Sequence, residues 1–565
     1  MAESPFSYRT RAAALDAMAA DPVDVLVIGG GITGAGIARD AALRGLRTAL
    51  IEKSDVAAGT SSRSSRLIHG GLRYLEHYDF RLVFEASRER RVLLRIAPHL
   101  VRPLPFLFPC YRGGRVPAWK VRAGMWLYDL LAAFRNVKRH RWLGPREVRR
   151  VEPGLRDREL QGAALYYDAQ TDDARLALAT MRGAAQSGAL IASYAEATAL
   201  LKPDGRIGGA MVRDVLTGRT LHVRALVVVN ATGPWVDALR RLDEPGAAAL
   251  LRPSKGAHVA VPRARIGHTN AITLMSPLDG RVMFVLPWGD LSYIGTTETD
   301  DAGPPPTLPD ATYASLADVV YLLRSANALF PNARLAPPDV RSTWAGLRPL
   351  LAPDKDLSAS QVSREHRVVE SASGLITIAG GKLTTYRVMA RDVADRVGQR
   401  LRALDGRPLP PRARTDALVL PGGETADLEG LVKAAKQRGV SDATAQHLVA
   451  KYGSESAAVL NLVDHDRALG AAILAGRPEI WAEVTHAVER EMALRLSDVL
   501  IRRLHLFYEA PGQAAAAAVS VSERLAALLG WDATRRAEEV ADYQREVERS
   551  RAYLKDVAGT RRITA

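Results

Sequence analysis

The patterned part of the chain opens at Val23. "VDVLVI" is an almost unbroken apolar run, as expected of a strand buried on both faces. Glycines interrupt it, and the small-residue stretch "ITGAGIARDAALRG" follows with helical character. A second apolar run, "TALIE", closes a strand–turn–helix–strand unit. Two later stretches repeat the logic. "RALVVVNATGPWVDAL" (224–239) is a buried strand, a small-residue turn and a helix; "GLITIAGGKLTTYRVMARDVADRV" (374–397) is another. Three such units, far apart in the chain, predict one sheet assembled from distant segments, with the long insertions forming a second domain. Within the insertions, "GRIGGAMVRDVLTGRTLHVRALVVV" alternates like a β-meander. "GRVMFVLPWGDLSYIGTTETD" reads as a hairpin turning at Gly289 and Asp290. After a Pro-, Arg- and Gly-rich stretch at 402–423, read as a linker, apolar positions recur at helical spacing. Trp481, Val484, Val488, Met492, Leu496, Val499 and Leu500 lie on one such run, predicting an all-helical C-terminal part.

The first unit carries chemistry. Gly29, Gly31 and Gly34 form G-x-G-x-x-G between strand and helix. The first permits the tight turn, the second lets a pyrophosphate touch the backbone, and the third lets the helix pack on the sheet. The helix start offers free N–H groups and its positive end to that anion. Glu52 ends the second strand, where a carboxylate accepts hydrogen bonds from ribose hydroxyls and disfavours a 2′-phosphate. Dinucleotide binding follows; the pattern alone does not separate NAD from FAD.

Composition narrows the picture. The 565 residues are 47% hydrophobic and 25% charged, which is globular and enough for more than one core. A single cysteine, Cys110, excludes an intrachain disulfide and a cysteine-held metal cluster, so no metal site is expected. The net charge of +15 suits an anionic partner, be it substrate, lipid or nucleic acid, without choosing among them. No RNA-binding or zinc-finger motif is legible, and nucleic acid is not expected. No apolar run reaches the length of a spanning helix, and residues 1–22 lack the apolar core of a secretory signal. They read as a loose arm or a short helix. The segment 115–142, "RVPAWKVRAGMWLYDLLAAFRNVKRHRW", interleaves aromatic with basic residues. It reads equally as an interfacial helix on an anionic membrane and as a domain helix with a basic outer face.

The unit at 23–53, "GTSSRSSRLIHGGLRYLEHYDFRLV", "TDDARLALA", "NATGPWV", "KGAHVAVPR", "GLRPL" and "GGKLTTYR" together resemble the FAD-dependent glycerol-3-phosphate dehydrogenases, within the D-amino-acid-oxidase-like flavoproteins. The resemblance spans nearly the whole chain. It implies an α/β fold: a discontinuous Rossmann-like FAD-binding domain, an α+β substrate domain with an antiparallel sheet, and an all-α C-terminal domain. FAD segments are expected at about 23–80, 224–240 and 374–400 of an interleaved region 23–401, with helices over 424–555. It implies oxidation of sn-glycerol 3-phosphate to dihydroxyacetone phosphate, with electrons passed to membrane quinone. The expected location is peripheral, on the cytoplasmic face of the inner (plasma) membrane, and a homodimer is admitted. An oxidase handing electrons to oxygen, an amine oxidase of the same superfamily and a basic nucleic-acid-modifying flavoenzyme are the rival readings.

The substrate is a dianion with two hydroxyls, so a site needs phosphate donors, a proton acceptor and a ring held over C2. Arg73 and Tyr74 suit the phosphate, since a guanidinium fork matches its oxygens. Arg348 and Lys382 are placed in the pocket by the resemblance, with roles undivided, and Arg364 is a further phosphate candidate. His258 is the expected general base, acting near its ordinary pKa of ~6.5, with His69 as rival or flavin contact. Gly29, Gly31, Gly34 and Glu52 take the adenosine and pyrophosphate end of FAD. Thr60, Ser61 and Ser65 are expected on its phosphate or ribityl chain, Gly233 gives close approach, and Gly70 and Gly71 let backbone pass beneath the ring. Gly380 and Gly381 lead a helix whose positive end favours an anionic reduced flavin.

Overall fold

The computed structural model describes residues 4–71, 79–131, 137–300, 312–352 and 365–557. Its first sheet is built around five parallel strands in the order Ile376–Gly380, Thr220–Asn230, Val23–Ile28, Thr48–Glu52 and Leu190–Ser193. The three strand–glycine–helix units of the sequence are thus neighbours in one sheet, and the fold is α/β as expected. The side chains of these strands are buried on both faces, which accounts for their continuous apolar runs. The strand Leu190–Ser193, which the sequence reading passed over, extends the sheet beyond Glu52.

The expected meander is real and merges with this sheet. The strand Thr220–Asn230 pairs antiparallel with Gly209–Asp214 through its first half. Its second half runs parallel to Val23–Ile28. Burial follows: alternating in the first half, continuous in the second. The helix Ile32–Leu43 packs between the sheet, the helix Asp173–Gln186 and the helix Tyr386–Asp405.

A second, mostly antiparallel sheet forms the substrate side. Its spine is the long pair Val101–Tyr111 and Leu160–Thr171. The expected hairpin is present as Val282–Trp288 and Leu291–Gly295, turning through Gly289 at φ +56°. The strands Ser254–Pro262 and Ser342–Arg348 pair beside it. Cys110 is buried here with its thiol pushed up to about 12 by burial, consistent with packing rather than chemistry.

Beyond residue 427 the described chain is helical. The long periodic run at 479–506 is not one helix. The helix Trp481–Glu491 stops where Met492 turns left-handed at φ +52°, and a π-helical turn Asp498–Arg503 follows. Asp498 makes the break by accepting from the N–H groups of Leu494 and Arg495, at 2.9 and 3.0 Å. The helical part is tied to the FAD side by buried charge pairs. Asp55 takes Arg503 at 2.7 and 2.8 Å and Arg502 at 2.6 Å, and Arg175 meets Glu491 at 2.7 Å. Near the N-terminus, Tyr8–Ala20 is a docked helix, capped by Ser7 and anchored by Arg11 on Asp214 at 2.6 Å.

Candidate active site

One cavity of about 960 Å³ runs between the two sheets. Its first end is the glycine turn after Val23–Ile28. Gly29 sits at φ +118°, and a Cβ there would meet Ala231 O at 2.5 Å. Gly34 packs its Cα against the Gly29 carbonyl, so the helix lies close on the strand only with glycine there. Gly31 caps the helix Ile32–Leu43, and the N–H of Ile32 donates to Ser61 Oγ at 2.9 Å. Glu52 accepts from Gly30 N at 2.6 Å and Ser54 N at 2.9 Å. Burial pushes its carboxyl up, and those two N–H groups partly hold it down. These residues make an anion cradle beside a fixed carboxylate, both on the cavity wall, and the cavity has room for a dinucleotide.

Gly233, at φ +58°, opens the turn after Thr220–Asn230 and lines the same cavity. Gly380 and Gly381, at φ +77° and +85°, do so after Ile376–Gly380. A Cβ on Gly380 would meet Glu365 O at 2.5 Å, and one on Gly381 would meet the Met389 side chain. Lys382 then starts the turn Leu383–Thr385 that leads into the helix Tyr386–Asp405, and it lines the cavity.

His258, Arg348 and Lys382 line the same cavity, with His258 near Arg348 and Lys382 near His69. Arg348 ends the strand Ser342–Arg348 and donates through Nη2 to Thr296 Oγ1 at 2.8 Å and Thr297 O at 3.0 Å. His258 stands on the paired strand, opposite Trp344 and Gly295. Its ring stacks on Trp344, centroids 5.0 Å apart and planes 8° apart. Its Nε2 lies 2.8 Å from Ser65 Oγ. Burial, with the Arg348 and Arg66 guanidinium groups beyond it, pushes the ring down to about 3. The expectation of a base near its ordinary pKa is therefore corrected: this imidazole is neutral because it is enclosed and faces cations. His69 also lines the cavity, and burial pushes it down to about 4.

Other expectations shift. Ser65 lines the cavity, and its hydroxyl lies against His258 as well as facing the space expected for the cofactor. Thr60 lines the cavity but donates its hydroxyl to Leu347 O at 2.6 Å, tying its loop to the strand that carries Arg348. Gly70 is required by packing: a Cβ would meet Ser87 Oγ at 2.8 Å and Tyr128 Cζ at 2.9 Å. Gly71, at φ +80°, remains on the cavity wall. Arg73, Tyr74 and Arg364 lie outside the described residues.

The sequence reading missed several supports. Gly256 leaves room for Arg348, since a Cβ there would meet Arg348 Cζ at 2.7 Å and Thr296 Oγ1 at 2.8 Å. Gly295 does the same for His258, whose Nε2 would lie 2.7 Å from an added Cβ. Arg66, at φ +56° and fully buried, stands among Trp288, Tyr293, Trp344 and Tyr508. The spacing "KGAH" was the only available signal, a glycine two residues before the histidine on one strand.

The helix Ala118–Leu131 faces both ways. Val121, Gly124 and Met125 line the cavity, while Trp119 and Trp126 are 70% and 61% exposed. Phe80, Phe84 and Leu130 add to the exposed apolar side chains of this helix and its neighbour Phe80–Ile96. Among the described residues, no helix is long and apolar enough to cross a membrane.

Comparison with known proteins places these features. Residues 24–396 match the family described as FAD dependent oxidoreductase. Residues 413–536 match the C-terminal domain of alpha-glycerophosphate oxidase. Glycerol-3-phosphate dehydrogenase 2 of Mycobacterium tuberculosis (strain CDC 1551 / Oshkosh) is 40% identical over 545 residues, covering 95% of this chain and 90% of that protein. Aerobic glycerol-3-phosphate dehydrogenase of Staphylococcus aureus (strain USA300) is 36% identical over 500 residues, 86% of this chain and 87% of that one. Among solved structures, the glycerol-3-phosphate dehydrogenase from Bacillus halodurans complexed with FAD superimposes with a TM-score of 0.81 at 30% identity. It covers 97% of this chain and 99% of its own.

Proposed function

This chain belongs to the FAD-dependent glycerol-3-phosphate dehydrogenases, and from that premise we propose how its residues share the reaction and where the electrons go. FAD is its cofactor, and oxidation of glycerol 3-phosphate is its activity. When bound, FAD supplies the two-electron acceptor. The chain's own residues do the rest. Gly29, Gly31 and the first turn of Ile32–Leu43 hold the pyrophosphate, and Glu52 holds the adenosine ribose. Arg348 and Lys382 present positive charge to the substrate oxygens and stabilise negative charge on the C2 oxygen as its proton leaves. His258 is the terminal proton acceptor. Its neutrality leaves a lone pair available; burial and the Arg348 and Arg66 charges oppose its protonation, and the stacked Trp344 face offsets part of that cost while it holds the proton transiently. Arg73, Tyr74 and Arg364 are kept as the phosphate donors.

The single observation that carries this reading is the shared cavity. The dinucleotide turn and Arg348, Lys382 and His258 line one space, although they come from four distant parts of the chain. Anaerobic addition of glycerol 3-phosphate to the purified yellow protein is expected to bleach the flavin absorbance, and glycerol is expected not to. Bleaching by glycerol alone would remove the phosphate from the recognition.

Electrons then pass to a membrane quinone. The support is the helix Ala118–Leu131, which lines the cavity on one side and exposes Trp119, Trp126 and Leu130 on the other. The cavity thereby lies one helix away from a surface whose exposed rings suit headgroup depth, which brings the flavin site close to an apolar carrier in the lipid. Attachment is peripheral, on the cytoplasmic face of the inner membrane. Turnover with a soluble quinone, without stoichiometric peroxide, is the expected result; peroxide at one per turnover would make the chain an oxidase.

A further inference from the structure

We infer that Ser65 is a catalytic residue of this reaction: its hydroxyl takes the proton of the substrate C2 hydroxyl while handing its own to His258 Nε2. The inference rests on the reading of His258 as the terminal base. Three observations carry it. Ser65 Oγ and His258 Nε2 are 2.8 Å apart, within direct transfer distance. Ser65 is half-buried on the cavity wall, whereas His258 is only 3% exposed, enclosed by Trp344 and Gly295. The atom of this pair that offers itself to a bound alcohol is therefore the serine oxygen. Finally, the hydroxyl is held in place from behind. Ser64 donates twice to Asp173 Oδ2, at 2.9 and 2.7 Å, and Trp344 Nε1 donates to Ser64 O at 3.2 Å. The same indole that stacks on His258 thus also fixes the backbone one residue before Ser65.

The step balances. The C2 O–H bond breaks and its proton moves to Ser65 Oγ, while the original Ser65 proton moves to Nε2. The hydride equivalent on C2 goes to the flavin, which the established activity supplies as oxidant, and the C2–O bond becomes a carbonyl. Ser65 ends as it began, and His258 ends as imidazolium. The tautomer required is the one in which Ser65 donates to Nε2, leaving the ring proton on Nδ1. His258 returns its proton by the reverse path through Ser65 to the open cavity after product leaves.

The test uses holoenzyme and single-turnover flavin bleaching, with FAD content, product affinity and the solvent deuterium effect as companion readouts. Ser65→Ala is expected to slow bleaching by about 100-fold, within the range general-base catalysis supplies, with FAD content and product affinity unchanged. Ser65→Thr keeps the hydroxyl and should restore most of the rate. His258→Gln should be as slow as Ser65→Ala, and the double variant no slower than either, because one proton path is being cut twice. The wild-type solvent deuterium effect on bleaching should change in Ser65→Ala, which a packing role would not produce. Wild-type bleaching in Ser65→Ala with slow His258→Gln would overturn the relay and keep the base. Wild-type bleaching in both would overturn the base, and the relay with it. Loss of FAD from Ser65→Ala would overturn the relay by making Ser65 a cofactor ligand.

Discussion

The substitution Gly256→Ala isolates the position of one guanidinium from everything else in the site. Gly256 lies inside the strand Ser254–Pro262 at an ordinary strand φ, so alanine is not strained there. The added Cβ would stand 2.7 Å from Arg348 Cζ and 2.8 Å from Thr296 Oγ1, and closer still to Arg348 Nη2. Restoring van der Waals contact moves the guanidinium by about 1 Å and loosens its bonds to Thr296 Oγ1 and Thr297 O, now 2.8 and 3.0 Å. A displacement of that size at a reacting centre costs roughly 100-fold in rate, or about 2.7 kcal/mol of transition-state stabilisation. The dinucleotide turn is untouched, so FAD content should equal wild type. The assay is flavin bleaching by glycerol 3-phosphate under anaerobic conditions, with kcat/KM measured using a soluble acceptor. Gly246→Ala is the control, because a Cβ there meets nothing within 4 Å. A Gly256→Ala enzyme with kcat/KM within about twofold of the control would refute the placement of Arg348 at the reacting oxygen. So would a rate loss that tracks FAD loss.

Other tests bear on separate claims. Arg348→Leu should lower kcat/KM by about 100-fold or more, since it removes a charge rather than shifting it, while Arg414→Leu on the exposed surface leaves kcat/KM alone; equal effects would take Arg348 out of the site. Trp119→Ser with Trp126→Ser should weaken binding to anionic vesicles about tenfold or more yet leave dye-linked turnover intact; unchanged binding would move the membrane face elsewhere. Acid stability follows from the buried neutral rings of His69, His99 and His258, pushed down to about 4, about 3 and about 3. The unfolded chain protonates these below about 6.5 and the native chain does not, so stability falls as pH drops through that value, by about 2 kcal/mol per ring at about pH 5. Asp173, pushed up to about 6 mainly by burial, gains a proton in the native state and returns about 1.4 kcal/mol at the same pH. The net loss should appear as a falling Tm of the holoprotein between about pH 7 and about pH 5, and a level Tm would show these rings to be protonated when folded.

Much of the architecture was legible because it is written in local spacing. The run before Gly29 reads as a buried strand because both its faces are covered. Gly29, Gly31, Gly34 and Glu52 were readable because a tight turn, a helix start and a strand end recur at fixed offsets. The break at Met492 was not legible. Its apolar periodicity continues unbroken, and what stops the helix is Asp498 reaching back to two N–H groups. A packing constraint on Gly70 was equally illegible, since it comes from Tyr128 and Ser87 on helices that no local pattern connects to it.

By itself, then, the sequence determined a dinucleotide cradle, one sheet drawn from three remote units, and a family whose substrate demands cations and a base. Only the tertiary structure decided which groups touch. Ser65 and His258 are 193 positions apart, and Thr60 meets Leu347 across 287. The physical reason is that turn and helix signals act through backbone geometry over a few residues. A hydrogen bond between distant strands depends on register, on glycines such as Gly256 and Gly295 that leave room, and on the rings that close over it.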